Sequence, residues 1–164
     1  MRCANRNEAK RLISPTGMSG FTLVEVMVVT AIVGLLAGIA VPGFQKAREN
    51  AQNGAFIADL RTAVSAFELY AIECGKYPAD TTPGLIPAGM SDYLKKMNWK
   101  AETPIGGKWD WDYGVFGVTA GVSVKGPTAT RQQLLTLDEH LDDGNLATGI
   151  FRARAGGYIS VIED

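Results

Sequence analysis

Glu25 is the one ionisable residue in "SGFTLVEVMVVTAIVGLLAGIAVPGF", residues 19–44. A charge at the centre of a membrane span costs about 2.5–3.5 kcal/mol on insertion scales, and less near an end. Chemistry at Glu25 is therefore electrostatic: the carboxylate either snorkels to the headgroups or meets a partner. A second acidic group, Asp138, Glu139, Asp142 and Asp143, precedes Gly144 and Asn145. Hard oxygen donors beside a turn-forming glycine suit Ca²⁺, with Asp138, Asp142 and Asp143 as candidate ligands. The alternate-acid spacing of an EF-hand loop is missing. That favours a solvated helix end followed by a turn, and no cofactor is expected. His140 is the only histidine, so no Ser-His-Asp set and no His-based zinc site can be built without it, and a surface position is expected. Trp109 and Trp111 could stack on sugars or bases. They alternate with Asp110 and Asp112, which fits a strand with its aromatic residues on the buried face. Cys74 could bridge to another subunit, although a buried free thiol is the expected state. There is no nucleotide loop and no catalytic dyad, so the chain is not expected to be an enzyme.

The elements that must position these residues follow from charge and period. At 164 residues, 46% hydrophobic and 20% charged, the chain has a globular composition of about one domain. Residues 1–20 carry Arg2, Arg6, Lys10 and Arg11 against Glu8, whereas the remainder is net acidic. A basic head on an acidic body argues against a nucleic-acid binder. From Val26 to Gln45 no residue is charged. As a helix this run is roughly 30 Å long, about a bilayer core, and the basic residues before it place the N-terminus in the cytoplasm. It exceeds the h-region of a secretory signal and has no cleavage site at its end. Gly34 and Gly38 form a G-x-x-x-G pair, with Ala31 and Ala37 nearby, that suits close helix packing. Pro42 removes a backbone bond and should kink or open the helix near Gly38 to Val41.

The helix is expected to resume after Pro42 and run to about residue 73. Phe56, Leu60, Val64, Phe67 and Ala71, with Ile57 and Ala63 beside them, form an apolar stripe of helical period. Gly75 and Pro78 end it. Residues 74–108 read as a long ordered loop with one short helix around Ser91–Met97. Strands follow at 108–118 and, after a Thr119-Ala120 turn, at "GVSVK"; a helix is expected over 129–141, then a hairpin turning near Ala155–Gly157.

"GFTLVEVMVVTAIVGLLAGIAVPGF", residues 20–44, resembles the prepilin signal of type IV pilins and type II secretion pseudopilins. The resemblance covers about the first third of the chain. It implies cleavage after Gly20 by a prepilin peptidase, N-methylation of Phe21, and pairing of Glu25 with the amino group of a neighbouring subunit. "GKYPADTTPGL", residues 75–85, resembles the segment after the long helix in major pseudopilins, with Tyr77-Pro78 and Gly84-Leu85 as the paired positions. The implied fold is α+β and pilin-like, a long N-terminal helix packed on a small antiparallel sheet. Its parts are a leader at 1–20, a membrane and assembly segment at 21–44 and a periplasmic head at 45–164. The sequence departs from the family in three places. A chain cut at Gly20 keeps only Cys74 and cannot close a disulfide. "GGKWDWDYG" stands where major pseudopilins often have Asp-Pro-Trp-Gly. No counterpart of their calcium loop is evident.

The function expected from this resemblance is a structural subunit of a pilus or pseudopilus. It would polymerise through its N-terminal helix, on an inner-membrane assembly platform, in export of the type II secretion kind. The alternative is a minor type IV pilin whose head binds DNA, sugar or a secreted substrate.

Overall fold

The computed structural model describes residues 20–164. The leader, with Arg2, Arg6, Glu8, Lys10, Arg11 and Cys3, lies outside the described residues. The chain forms two units, one ending at Pro42 and the other spanning Gly43–Asp164. A single α-helix, α1 (Leu23–Cys74), contributes to both.

In the first unit every described residue is exposed, including Leu23, Val33, Leu36 and Ile39. The apolar side chains of this stretch are left uncovered by the described residues. Helical structure continues through Pro42 without a break in the element. The missing Pro42 N–H still deprives the Gly38 carbonyl of its usual helical donor.

The second unit holds the core. A four-stranded antiparallel sheet has the order β1-β2-β4-β3, with β1 (Lys108–Tyr113), β2 (Ala120–Lys125), β3 (Phe151–Arg154) and β4 (Gly157–Glu163). Helix α2 (Arg131–Leu141) lies between β2 and β3 in the chain. It starts at Arg131, two residues after the expected start at 129, because Thr130 caps it, accepting a hydrogen bond from the Gln133 amide. The buried stripe of α1 is Phe56, Leu60, Ala63, Ala66 and Phe67. Phe56 stacks on Trp109 at 5.2 Å and Phe67 on Trp111 at 3.8 Å. Each such pair adds about 0.5–1.5 kcal/mol beyond the area it buries. The aromatic face of β1 is thus the surface on which this part of α1 is seated.

Two tryptophans also fix the loop before β1. Trp111 Nε1 donates to the Pro78 carbonyl at 3.1 Å, and Trp99 Nε1 donates to the Leu85 carbonyl at 2.8 Å. The Gly84 amide donates to the Trp109 carbonyl at 2.7 Å. The Tyr77-Pro78 and Gly84-Leu85 pairs are therefore the points at which the loop is tied to the core. Its short helix is a 3₁₀ turn over Tyr93–Lys96.

Three expectations need correction. Cys74 is exposed, because it ends α1 beyond the last turn that touches the sheet. Thr119-Ala120 is not a turn: Ala120 already pairs in β2, and the reversal lies in the glycine-rich stretch Gly114–Thr119. Asp110 and Asp112 are buried like the tryptophans they alternate with, at 4% and 2% exposed. The face opposite α1 is closed by Arg154 of β3, whose guanidinium meets both acids.

Candidate functional site

At the N-terminus of α1, Thr22 is followed three residues later by Glu25, and the two cap each other. Glu25 Oε2 accepts from the Thr22 amide at 2.9 Å and from Thr22 Oγ1 at 2.8 Å. Thr22 Oγ1 in turn accepts from the Glu25 amide at 3.2 Å. This reciprocal pair satisfies amide groups that the first helical turn leaves open. The signal for this pair in the sequence is "TLVE", a capping-box spacing of Thr and Glu that the charge of Glu25 alone does not reveal. Both side-chain bonds fall on one carboxylate oxygen. Oε1 receives no hydrogen bond from the described residues, so the carboxylate can serve the cap and a second partner together. Thr30, the next polar side chain, donates to the Val26 and Met27 carbonyls at 3.0 Å each, so its hydroxyl leaves no open donor on the apolar surface.

Gly34 and Gly38 have no atom within 4 Å of the position a Cβ would occupy. Nothing among the described residues requires glycine at either place. A mid-helix glycine is less stable than alanine by roughly 0.5–1 kcal/mol. Two such residues, a turn apart on a bare apolar helix, leave a shallow site into which another helix can pack.

The acidic group near the C-terminus is a second candidate. Carboxylate oxygens of Asp138, Asp142 and Asp143 lie within 4.8 Å of one another. The expectation of a solvated helix end fails for Asp138, which is 0% exposed and has no hydrogen-bond donor on either oxygen among the described residues. Burial, then the charges of Asp143 and Asp142, push its carboxyl above the usual carboxylate range. Asp142 Oδ2 is held by the Ile150 amide. Asp143 accepts from the Asn145 amide at 2.8 Å and from Thr148 Oγ1 at 2.8 Å. Gly149, with φ of 81°, brings its backbone so near that a Cβ would sit 1.8 Å from Asp142 Oδ2. The loop is thus folded around these acids, leaving Asp138 as an acceptor with nothing to accept. Three carboxylates with free acceptor capacity fit a hard divalent cation such as Ca²⁺. Glu139 and His140 point to solvent beside them, His140 as expected.

Residues 16–41 match the family described as the prokaryotic N-terminal methylation motif. The chain has a prepilin-type N-terminus. It is similar to the type IV major pilin protein PilE1 of Neisseria gonorrhoeae, 36% identical over 52% of this chain and 54% of that protein. It is similar to the type II secretion system core protein G of Aeromonas hydrophila, 39% identical over 41% of this chain and 46% of that one. It is also similar to the type IV wide pilus major component PilA4 of Thermus thermophilus, 28% identical over 66% of this chain and 93% of the relative. The chain spans about half the length of the first two relatives. No solved structure matches. Within the prepilin-type segment the structure places Gly20 and Phe21 exposed ahead of α1, and Glu25, Gly34, Gly38 and Pro42 within it. All six precede the residues that build the head core.

Proposed function

We propose that the chain is a structural subunit of a membrane-anchored, pilus-like fibre that polymerises through α1. The observation that carries this reading is the fully exposed apolar surface of residues 21–44, interrupted by a single carboxylate. Among the described residues α1 is the one helix long and apolar enough to cross a membrane. Bilayer lipid covers that surface in the monomer and the same stretch of neighbouring subunits covers it in the fibre. A prepilin peptidase cuts after Gly20 and leaves Phe21 with a methylated amine. Glu25, with one oxygen on Thr22, gives the other to the Phe21 amine of the next subunit, and the Gly34–Gly38 face sets the approach of the helices. The resemblance of residues 75–85, with Tyr77-Pro78 and Gly84-Leu85, to the segment after the long helix of major pseudopilins favours the pseudopilus form and an export role. The N-terminus is cytoplasmic and the head periplasmic. The deciding experiment is expression of Glu25→Ala with its assembly machinery. Membrane insertion is retained and sheared fibres are lost; wild-type fibre yield overturns the pairing.

The orphaned Asp138 favours one further role, a calcium-stabilised loop in the head. Asp138, Asp142 and Asp143 would hold the ion, and bound cation would pin the segment between α2 and β3. Thermal melts of the full chain in detergent, with calcium and with chelator, test it: coincident melts reject the site.

A further inference from the structure

The face of β1 turned away from α1 carries a charge cluster that neither assembly nor the acidic loop uses. Arg154 Nη2 donates to Asp110 Oδ2 at 2.7 Å and to Ser123 Oγ at 2.6 Å. Arg154 Nε lies 3.1 Å from Asp112 Oδ2. The Arg154 side chain is 3% exposed. The Phe116 ring covers its guanidinium at 4.6 Å from the centroid. Phe116 holds a φ of 55° to do so, a left-handed backbone that costs a side-chain-bearing residue roughly 1–2 kcal/mol. β1 and β3 are the two edges of the sheet. Arg154 therefore spans β2 and β4 to join one edge to the other, and Phe116 carries the β1–β2 loop onto the join.

The charges do not balance. Asp110 and Asp112 on β1, together with Asp80 from the preceding loop, face Arg154 from β3 and Lys125 from β2. Ser123 adds only a hydroxyl. Three carboxylates against two cations leave one negative charge in excess, and the innermost pair is shut away from water. Among the described residues Asp110 Oδ1 has no donor, so it can carry a proton while Oδ2 stays on Arg154.

We propose that Asp110, Asp112 and Arg154 form a proton-binding clamp that holds the β1–β2 loop and the β3–β4 hairpin more firmly in mild acid than at neutral pH. Protonation of one carboxyl removes the excess charge and leaves a neutral Asp–Arg pair under Phe116. Burial, reinforced by the neighbouring Asp112 charge, lifts Asp110 to about 6 despite Arg154. Asp112 is also raised, chiefly by burial. A carboxyl raised in the folded state stabilises the fold fully below its unfolded value, 3.8 for an ordinary Asp, and this contribution is lost as pH rises through about 6. Between pH 7.5 and 5.0 the folding equilibrium gains about tenfold from Asp110 alone.

The test is hydrogen–deuterium exchange on the full chain in detergent micelles at pH 7.5 and 5.0, corrected for intrinsic exchange. Protection over 114–119 and 151–163 rises about tenfold at the lower pH; equal protection overturns the clamp. Asp110→Asn, which mimics the protonated form, shows the higher protection at both pH values. A pH-dependent rise that survives in Asp110→Asn, as Asp138 would produce, overturns it as well. Should that variant fail to fold, assigned carboxyl ¹³C resonances of the wild type decide. Asp110 titrating near 6 supports the clamp, and titration near 4 overturns it.

Discussion

Thr22 and Glu25 hold each other across the first turn of α1, so the acid at the edge of the apolar run already has one partner in its own chain. The cap and the charge are separable by substitution. Gln at position 25 can still reach back to the Thr22 amide, as capping boxes allow, but carries no charge. Glu25→Gln is expected to insert normally and to lose fibres as Glu25→Ala does. Fibre counts by electron microscopy check this; wild-type yield from Gln would assign the role of Glu25 to the cap.

Processing is expected to leave a mature chain that begins at methylated Phe21. Intact-mass measurement of membrane-extracted protein reads both changes at once. An N-terminus at Met1 or beyond Val41 is incompatible with the proposed assembly.

Replacing the Trp111 indole should cost stability through both a lost hydrogen bond and a void in the core. Trp111→Phe leaves the buried Pro78 carbonyl without its donor and deletes part of the stack on Phe67. An unsatisfied buried acceptor costs about 1–3 kcal/mol. A lower melting temperature and faster proteolysis within residues 75–92 are the expected readouts.

The calcium loop predicts a ligand-dependent melt. At a calcium concentration a hundred times Kd the folded state gains about 2.7 kcal/mol. Asp138→Asn should abolish the calcium-induced shift, since the carboxylate with no other partner is the one replaced. Gly149→Ala should abolish it by a different route, because its Cβ would displace the Asp142 carboxylate. Circular-dichroism melts with and without chelator distinguish both from wild type.

Much of the fold was legible because it is written in local periods. The stripe Phe56, Leu60, Phe67 gave the buried face of α1, and the break from Gly75 to Pro78 gave its end to within a residue. All four strands and α2 were legible from alternation, turn residues and the helical spacing of Leu134, Leu137 and Leu141. What escaped was non-local. Nothing near Asp110 and Asp112 reveals that Arg154, 44 positions after Asp110, crosses the sheet to bury them. Asp138 likewise looks like one more solvent-facing acid until the loop at Ile150 folds back on Asp142. The prepilin-type segment was legible because its information lies in the order of adjacent residues. The Thr22–Glu25 box has a local signal of the same kind, its T-x-x-E spacing.

The loop ties have a consequence for sequence drift. Trp99 and Trp111 grip the loop by the carbonyls of Leu85 and Pro78, and every residue type supplies a carbonyl. The path of the loop is thus set by the tryptophans, while the side chains it shows outward, such as Ala79, Thr82, Leu85 and Ala88, are released from any duty to the core. Such an arrangement lets the displayed surface of the head diversify rapidly between lineages while the scaffold beneath it stays unchanged.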